Sequence, residues 1–144
     1  MILPSVFCLA LNIYFEARNQ PIEGQIAVSQ VVLNRVDSRH YPNEVCEVVR
    51  DAEYYPDGRV KKHRCQFSWY CDGKVDQPQD IDAFRWAVTV AEQIFDNPTL
   101  PDIVDGATHY HATHVRPEWA DRAIYLTTIG DHVFYKFKKS KIKQ

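Results

Sequence analysis

The fold is decided by residues 6–24, which read Val6-Phe7-Cys8-Leu9-Ala10-Leu11-Asn12-Ile13-Tyr14-Phe15-Glu16-Ala17-Arg18-Asn19-Gln20-Pro21-Ile22-Glu23-Gly24. The first ten of these residues carry no charge and are apolar on nearly every side, which predicts a central helix over residues 5–18. Pro21 then interrupts the pattern, and a second periodic apolar run predicts a helix over residues 22–36. Because the connection between them is short, we expect the two helices to pack as neighbours.

Glu16 is the first charged side chain of the chain, and it directly follows two aromatic residues. The sequence therefore predicts a carboxyl group near the end of a buried helix, where the chain turns. Apolar surroundings disfavour the ionised form and raise the pKa of a carboxyl group, so Glu16 is expected to hold its proton near neutral pH. Such a group can act as a general acid. The same position also suits an ordinary helix-end glutamate paired with Arg18 or Arg35.

Size and composition indicate one globular domain. The chain has 144 residues, of which 45% are hydrophobic and 25% are charged, and its net charge is −2. These values are typical of a soluble domain and give no support for a nucleic-acid or membrane partner. The first apolar run is too short to span a membrane and lacks the basic flank of a signal peptide. We expect a single monomeric domain over residues 1–144, with a basic tail over residues 136–144.

Periodicity and turn signals predict the remaining elements. Two further helices are expected, over residues 43–50 and 80–96. A hairpin is expected in which residues 123–128 pair with residues 132–137. The polar residues 51–64 are expected to form an exposed loop, and residues 65–73 alternate as a strand would. The prediction is an α+β fold, mainly helical, with a small antiparallel β region that forms one wall of a groove.

Two segments of that β region offer side chains suited to neutral polyhydroxyl ligands. An amide, a hydroxyl and aromatic rings recur in them, and the candidate sugar-binding residues are Gln66, Ser68, Trp69, Tyr110 and His111. Core packing is the alternative role for Trp69. A structural role is an equally good alternative for Tyr110 and His111.

The four cysteines leave the redox compartment open. Cys65 and Cys71 flank five residues, a spacing that a disulfide can close over a tight loop. Cys8 lies on the apolar first helix and is expected to be a buried free thiol. No two cysteines have the CxxC spacing of a zinc site, so no metal is predicted at them.

Together these segments resemble the cell wall hydrolase family of SleB and CwlJ type, which includes spore-cortex-lytic enzymes and their bacterial and phage relatives. The matching motifs follow the family order over nearly the whole chain: 14–18, 23–28, 32–36, 41–42, 65–69, 71–73, 107–112, Pro117, Trp119 and 129–132. The resemblance implies a lysozyme-like, lytic-transglycosylase-like fold. It also implies that the catalytic residue is the glutamate of the first motif, which is Glu16.

The activity implied by the resemblance is cleavage of peptidoglycan glycan strands, without a cofactor, at the β-1,4 bond between N-acetylmuramic acid and N-acetylglucosamine. A lytic transglycosylase can use one carboxyl group, which protonates the leaving oxygen and then deprotonates the C6 hydroxyl of the same muramic acid. The family often has Gly-Glu after the Ala-Arg pair, whereas this chain has Asn19-Gln20. A carboxylate is therefore missing at position 20, and Glu23 is the candidate for a second one.

The resemblance also implies where such a protein acts, namely at the periplasm and cell wall or at the spore cortex. Because no signal peptide is recognised, a phage enzyme released by a holin is one expectation.

Two other functions stay open at this point. His109, His111 and His114 are closely spaced, which suits a metal-dependent amidase or peptidase, since histidines on a strand can bind zinc. No carboxylate or water-activating motif of known spacing lies beside them. The second alternative is a non-catalytic glycan-binding module, in which the groove binds strands and Glu16 transfers no proton.

Overall fold

The computed structural model describes residues 2–138, which form four helices and two small antiparallel sheets. In chain order the elements are α1 (Pro4–Ala17), α2 (Ile22–Val36), α3 (Val45–Val49), β1 (Ala52–Tyr54), β2 (Val60–Cys65), α4 (Ile81–Asp96), β3 (His109–Ala112), β4 (Ile124–Ile129) and β5 (His132–Lys136). Short 3₁₀ turns cover Ser68–Cys71 and Glu118–Arg122. The predicted α+β fold class is confirmed.

Helix α1 lies at the centre of the core, as its apolar sequence predicts. It packs against α2, α3 and α4, and most of its residues are buried. The fixed φ of Pro4 suits the first turn of a helix. The connection after Ala17 is short, and α2 begins directly after Pro21. Burying each large apolar side chain of α1 stabilises the fold by about 1.5–3 kcal/mol.

The second sheet has the strand order β3-β5-β4 and brings chemistry-bearing residues together. In its register Tyr110 pairs with Phe134, and Ala112 pairs with His132. Paired residues share a face and successive residues alternate between faces, so these four side chains point to the same side of the sheet. Phe134 is fully buried there against α2, and Tyr110 reaches the end of α1. The sheet therefore presents Tyr110 and His132 to Glu16.

The region around residues 51–73 differs from its prediction. Instead of an exposed loop, β1 and β2 form an antiparallel hairpin, with Ala52 paired to Cys65. Instead of continuing as a strand to residue 73, the chain enters the 3₁₀ turn Ser68–Cys71. A disulfide holds the Cα atoms of Cys65 and Cys71 6.1 Å apart. A strand would separate them by about 20 Å, so the turn is required for this disulfide to form.

The prediction of a free Cys8 thiol is wrong, because Cys8 forms a disulfide with Cys46. Helix α3 packs across α1 and brings the two Cα atoms to 5.2 Å. Cys8 is buried as predicted, at 2% exposure. The disulfide ties the central helix to α3 across 38 positions of sequence.

The predicted basic tail over residues 136–144 begins inside β5, which ends at Lys136. Residues 139–144 of that tail lie outside the described residues. Within residues 2–138, the helices are too short or too polar to cross a membrane.

One side chain of the α1–α2 connection holds the turn between β4 and β5 by two hydrogen bonds. Gln20 donates from Nε2 to Asp131 Oδ2 at 3.0 Å, and its Oε1 accepts from the Asp131 backbone N–H at 2.9 Å. Gly130 has φ +57°, and a Cβ atom there would collide with the Gln20 amide oxygen. With Gln20 in this position, any residue other than glycine at position 130 would displace the Gln20 amide.

We expect Gly130→Ala to lower the free energy of unfolding by about 1–2 kcal/mol, because alanine is strained at positive φ and displaces the Gln20 amide. Urea unfolding measures the change. In a Gln20→Ala background the loss should be smaller, because the collision is gone. Equal losses in both backgrounds would assign the whole effect to backbone strain and contradict the collision.

Candidate active site

A cleft of about 390 Å³ opens between the end of α1, the start of the 3₁₀ turn and the β3-β5-β4 sheet. Its lining residues come from six parts of the chain: Phe15, Glu16, Arg35, Gln66, Phe67, Ser68, His109, Tyr110, His111, Ala112, Trp119 and His132. The two segments singled out from the sequence, 65–73 and 107–112, thus contribute opposite walls. Glu16 lies between them on the last turn of α1.

The carboxyl group of Glu16 is held by Tyr110, whose hydroxyl donates to Glu16 Oε1 at 2.7 Å. Burial raises the pKa of this carboxyl, and the hydrogen bond from Tyr110 lowers it by less. The net shift is upward, as the aromatic neighbours in the sequence predict. Glu16 therefore keeps its proton to a higher pH than an exposed glutamate does.

A buried polar contact fixes the helix behind Glu16. Trp69 donates from Nε1 to Asn12 Oδ1 at 2.8 Å, and its ring stacks on Phe15 with centroids 5.0 Å apart. Trp69 is only 6% exposed and does not line the cleft. The prediction that Trp69 contacts sugar is therefore corrected to core packing, because its one N–H donor is already used inside the protein.

Arg35, near the end of α2, braces the two walls of the cleft. Its Nε donates to Thr108 O at 2.8 Å, and its Nη1 donates to Gln66 Oε1 at 3.2 Å. The guanidinium also lies over the Phe67 ring, 5.2 Å from its centroid. Within the described residues Glu16 forms no salt bridge with this arginine or any other cation. The alternative of an ordinary paired glutamate is thus not supported.

Gln66 and Ser68 expose polar atoms to the cleft. The Oε1 of Gln66 is held by Arg35, whereas its Nε2 and the Ser68 hydroxyl make no hydrogen bond within residues 2–138. Both side chains are exposed. Their amide and hydroxyl groups are therefore available to a ligand.

The three closely spaced histidines have separate environments. Burial, with a smaller contribution from the Arg35 charge, lowers the pKa of His109 to about 4. His111 donates from Nδ1 to Ala112 O at 2.7 Å, since a carbonyl can only accept, and its Nε2 then accepts from the Tyr135 hydroxyl at 2.8 Å. His114 is exposed and does not line the cleft. In the described part of the chain no three His, Cys, Asp or Glu side chains are placed to hold a metal ion.

Beyond Glu16 the groove continues into a second pocket of about 430 Å³, here called the second arm. It shares Glu16, Ala112 and His132 with the cleft and adds Asn19, Gln20, Thr113, His114 and Asp131. Glu16 therefore lies where two pockets meet. Glu23, the candidate second carboxylate, is exposed in the first turn of α2 and lines neither pocket.

Six cleft residues were not predicted as site residues: Phe15, Arg35, Phe67, Ala112, Trp119 and His132. For His132 the sequence signal was present but incomplete. The predicted hairpin includes this position, but only the register with β3 shows that His132 lies beside Tyr110. Asp131, which borders the second arm, was predicted only as a turn residue.

Comparison with known proteins adds a family and a set of relatives. The profile of the Cell Wall Hydrolase family matches residues 19–135. The spore cortex-lytic enzyme of Halalkalibacterium halodurans is 28% identical over 127 residues, which is 88% of this chain and 33% of the relative. That of Bacillus subtilis is 49% identical over 41 residues, which is 28% of this chain and 13% of the relative. The chain thus spans about a third or less of these relatives.

Solved structures match over most of the chain. The catalytic domain of the germination-specific lytic transglycosylase SleB from Bacillus anthracis aligns with a TM-score of 0.62 and 26% identity, covering 92% of this chain and 93% of that one. The catalytic domain of the Bacillus cereus SleB protein aligns with a TM-score of 0.62 and 25% identity, covering 94% and 93%. The predicted resemblance is confirmed.

Proposed function

Because the chain belongs to the cell wall hydrolase family, we propose that it is an enzyme that cleaves peptidoglycan glycan strands. The bond cut is the β-1,4 link between N-acetylmuramic acid and N-acetylglucosamine, in the cell wall or the spore cortex. The observation that carries the proposal is the position of Glu16, a carboxyl with a raised pKa at the junction of two pockets. A strand lying along the groove would bring a glycosidic oxygen to that carboxyl.

The proposed reaction needs one carboxyl group. Protonated Glu16 gives its proton to the leaving oxygen as the glycosidic bond breaks. The Glu16 carboxylate then takes the proton of the C6 hydroxyl of the N-acetylmuramic acid whose C1 has lost that oxygen. That hydroxyl oxygen bonds to C1 of the same sugar and closes a 1,6-anhydro ring without consuming water. Among the described residues, Glu16 is the one carboxyl that lines the cleft, and Asp131 in the second arm is hydrogen-bonded to Gln20. Hydrolysis with two carboxyl groups requires a second within about 5–9.5 Å.

The walls on either side of Glu16 suit an N-acetylated sugar. Gln66 Nε2 can donate to an acetamido carbonyl, and the Ser68 hydroxyl can donate or accept. On the sheet side, the ring of Trp119 lies in the cleft beside His109 and His111. Polar groups on one wall and an aromatic ring on the other are the combination that carbohydrate binding uses.

Digestion of purified peptidoglycan tests the proposed function. We expect shorter glycan strands with intact stem peptides, and no lasting loss of activity after treatment with EDTA. Release of free stem peptides would instead show an amidase or peptidase. Inactivation by EDTA would favour the histidine-metal alternative.

Tyr110→Phe is expected to shift the pH dependence of kcat/KM. Glu16 must begin the reaction protonated, so activity is present at low pH and is lost as the pH rises through its raised pKa. The Tyr110 hydrogen bond lowers that pKa, so its removal should move the loss of activity to higher pH. We also expect about tenfold lower activity at the optimum, because a charge-assisted hydrogen bond is lost.

The matched control is Tyr125→Phe, since Tyr125 is exposed on β4 and lies outside both pockets. Its pH profile should coincide with that of the wild type. A Tyr110→Phe profile that is unchanged, or displaced to lower pH, would contradict the role given to this hydroxyl.

A further inference from the structure

His132 lies where the cleft and the second arm meet, and only 7% of its surface is exposed. Its ring packs edge-on against Tyr110, with centroids 5.2 Å apart. Nδ1 is buried and has no hydrogen-bond partner among the described residues. Nε2 also makes no hydrogen bond there, but it is not a buried atom, so it is open to the groove.

Unlike His132, the other two histidines of the cleft each have at least one ring nitrogen hydrogen-bonded within the protein. His111 has both ring nitrogens bonded within the protein, and His109 Nδ1 bonds to the Thr108 hydroxyl at 3.0 Å. Nε2 of His132 thus has no partner among the described residues although the ring lines both pockets, which leaves this nitrogen available to a ligand in the groove.

The charge state of His132 suits a neutral ligand. Burial lowers its pKa, and the nearby His111 lowers it further, whereas the Asp131 carboxylate acts in the opposite direction. The ring is therefore neutral near pH 7, and its accessible Nε2 can donate or accept according to the tautomer. Hydroxyl and acetamido groups of an N-acetylated sugar match such a ring, whereas an anionic group would not.

We propose that His132 is a further substrate-contacting residue, whose Nε2 hydrogen-bonds a hydroxyl or acetamido group of the sugar next to the bond that is cut. This inference rests on the proposed function, because it takes the groove to be the glycan site. The rings of Tyr110 and Phe134, with centroids 5.2 Å and 6.3 Å from that of His132, hold the ring in place. The contact would orient the sugar relative to Glu16.

Three variants test this contact. His132→Leu replaces the ring with an apolar side chain that has no nitrogen. His132→Gln places an amide nitrogen near the position of Nε2. His40→Gln is the control, because His40 is exposed outside both pockets. We expect His132→Leu to lower kcat/KM on purified peptidoglycan strands by about tenfold or more, the size of one lost polar contact. Its Tm should not fall, because the change removes an unpartnered buried nitrogen. His132→Gln should recover part of the activity.

Wild-type kcat/KM in His132→Leu would overturn the inference, as would a loss that only follows a lower Tm. Strand binding in a Glu16→Gln background separates this result from the proposed function. There, His132→Leu should weaken binding about tenfold, and unchanged binding would overturn the contact. Full turnover by Glu16→Gln alone would instead refute the proposed chemistry, while a binding loss in His132→Leu would still support the contact.

Discussion

Glu16→Gln is expected to lower the turnover of peptidoglycan strands by about 10²–10⁴-fold, the usual size of a general-acid contribution. Glutamine has the same shape and can still accept the hydrogen bond from Tyr110 through its amide oxygen. It cannot give a proton to the leaving oxygen or take one from the C6 hydroxyl. Strand binding should therefore persist while cleavage stops, as measured by release of soluble fragments and by co-sedimentation with peptidoglycan.

The folded state of this variant should remain intact. Because the folded-state pKa of Glu16 is raised, its contribution to stability is present at low pH and is lost as the pH rises through that pKa. Glutamine does not titrate, so at alkaline pH the variant should be at least as stable as the wild type. A thermal melt at two pH values checks this and excludes unfolding as the reason for lost turnover.

Two other Glu→Gln variants show whether the loss of turnover is specific to Glu16. Glu92→Gln is the matched control, since Glu92 is exposed on α4 outside both pockets. Glu23→Gln tests the second-carboxylate prediction directly. A loss as large as that of Glu16→Gln would assign a catalytic role to Glu23 and contradict a single-acid reaction, whereas wild-type turnover agrees with its exposed position.

Loss of the Cys8–Cys46 disulfide is expected to lower the free energy of unfolding by about 4 kcal/mol. The disulfide joins residues 38 positions apart and fastens α3 to the central helix. Closing a long loop restricts the unfolded chain more than closing a short one. The Cys65–Cys71 disulfide, with a separation of 6, should contribute about 2 kcal/mol by the same relation.

Urea unfolding of a Cys8→Ala, Cys46→Ser double variant measures the first value, and Cys65→Ser, Cys71→Ala provides the matched comparison. The decisive observation is which of the two double variants loses more free energy of unfolding. A larger loss from the short loop, or unchanged stability of the wild type after reduction, would contradict the role given to Cys8. The short-loop variant should lose activity beyond its loss of stability, because Gln66 and Ser68 lie inside that loop.

The helices could be predicted from the sequence because their signals are local. Apolar periodicity and Pro21 place α2 at its observed bounds and α1 within one residue of them. A raised pKa for Glu16 could likewise be predicted, since its apolar neighbours lie in the same helix, whereas its catalytic role was implied only by the family resemblance. Its raised pKa follows from those neighbours together with the sheet that covers it.

The errors concern contacts between distant parts of the chain. The alternation of residues 65–73 suggests a strand, but the Cys65–Cys71 disulfide and burial of Trp69 produce a turn instead. Whether Trp69 faces the groove or the core depends on that turn. The position of His132 beside Tyr110 depends on strand register, which no local pattern specifies.

Digestion in water labelled with oxygen-18, followed by mass analysis of the muropeptides, tests most directly whether Glu16 acts alone. Ring closure by the C6 hydroxyl consumes no water. We therefore expect unlabelled 1,6-anhydro products, each lighter by one water than a hydrolysed end. Incorporation of one labelled oxygen at each new sugar end would show that water is the nucleophile and would contradict the proposed reaction.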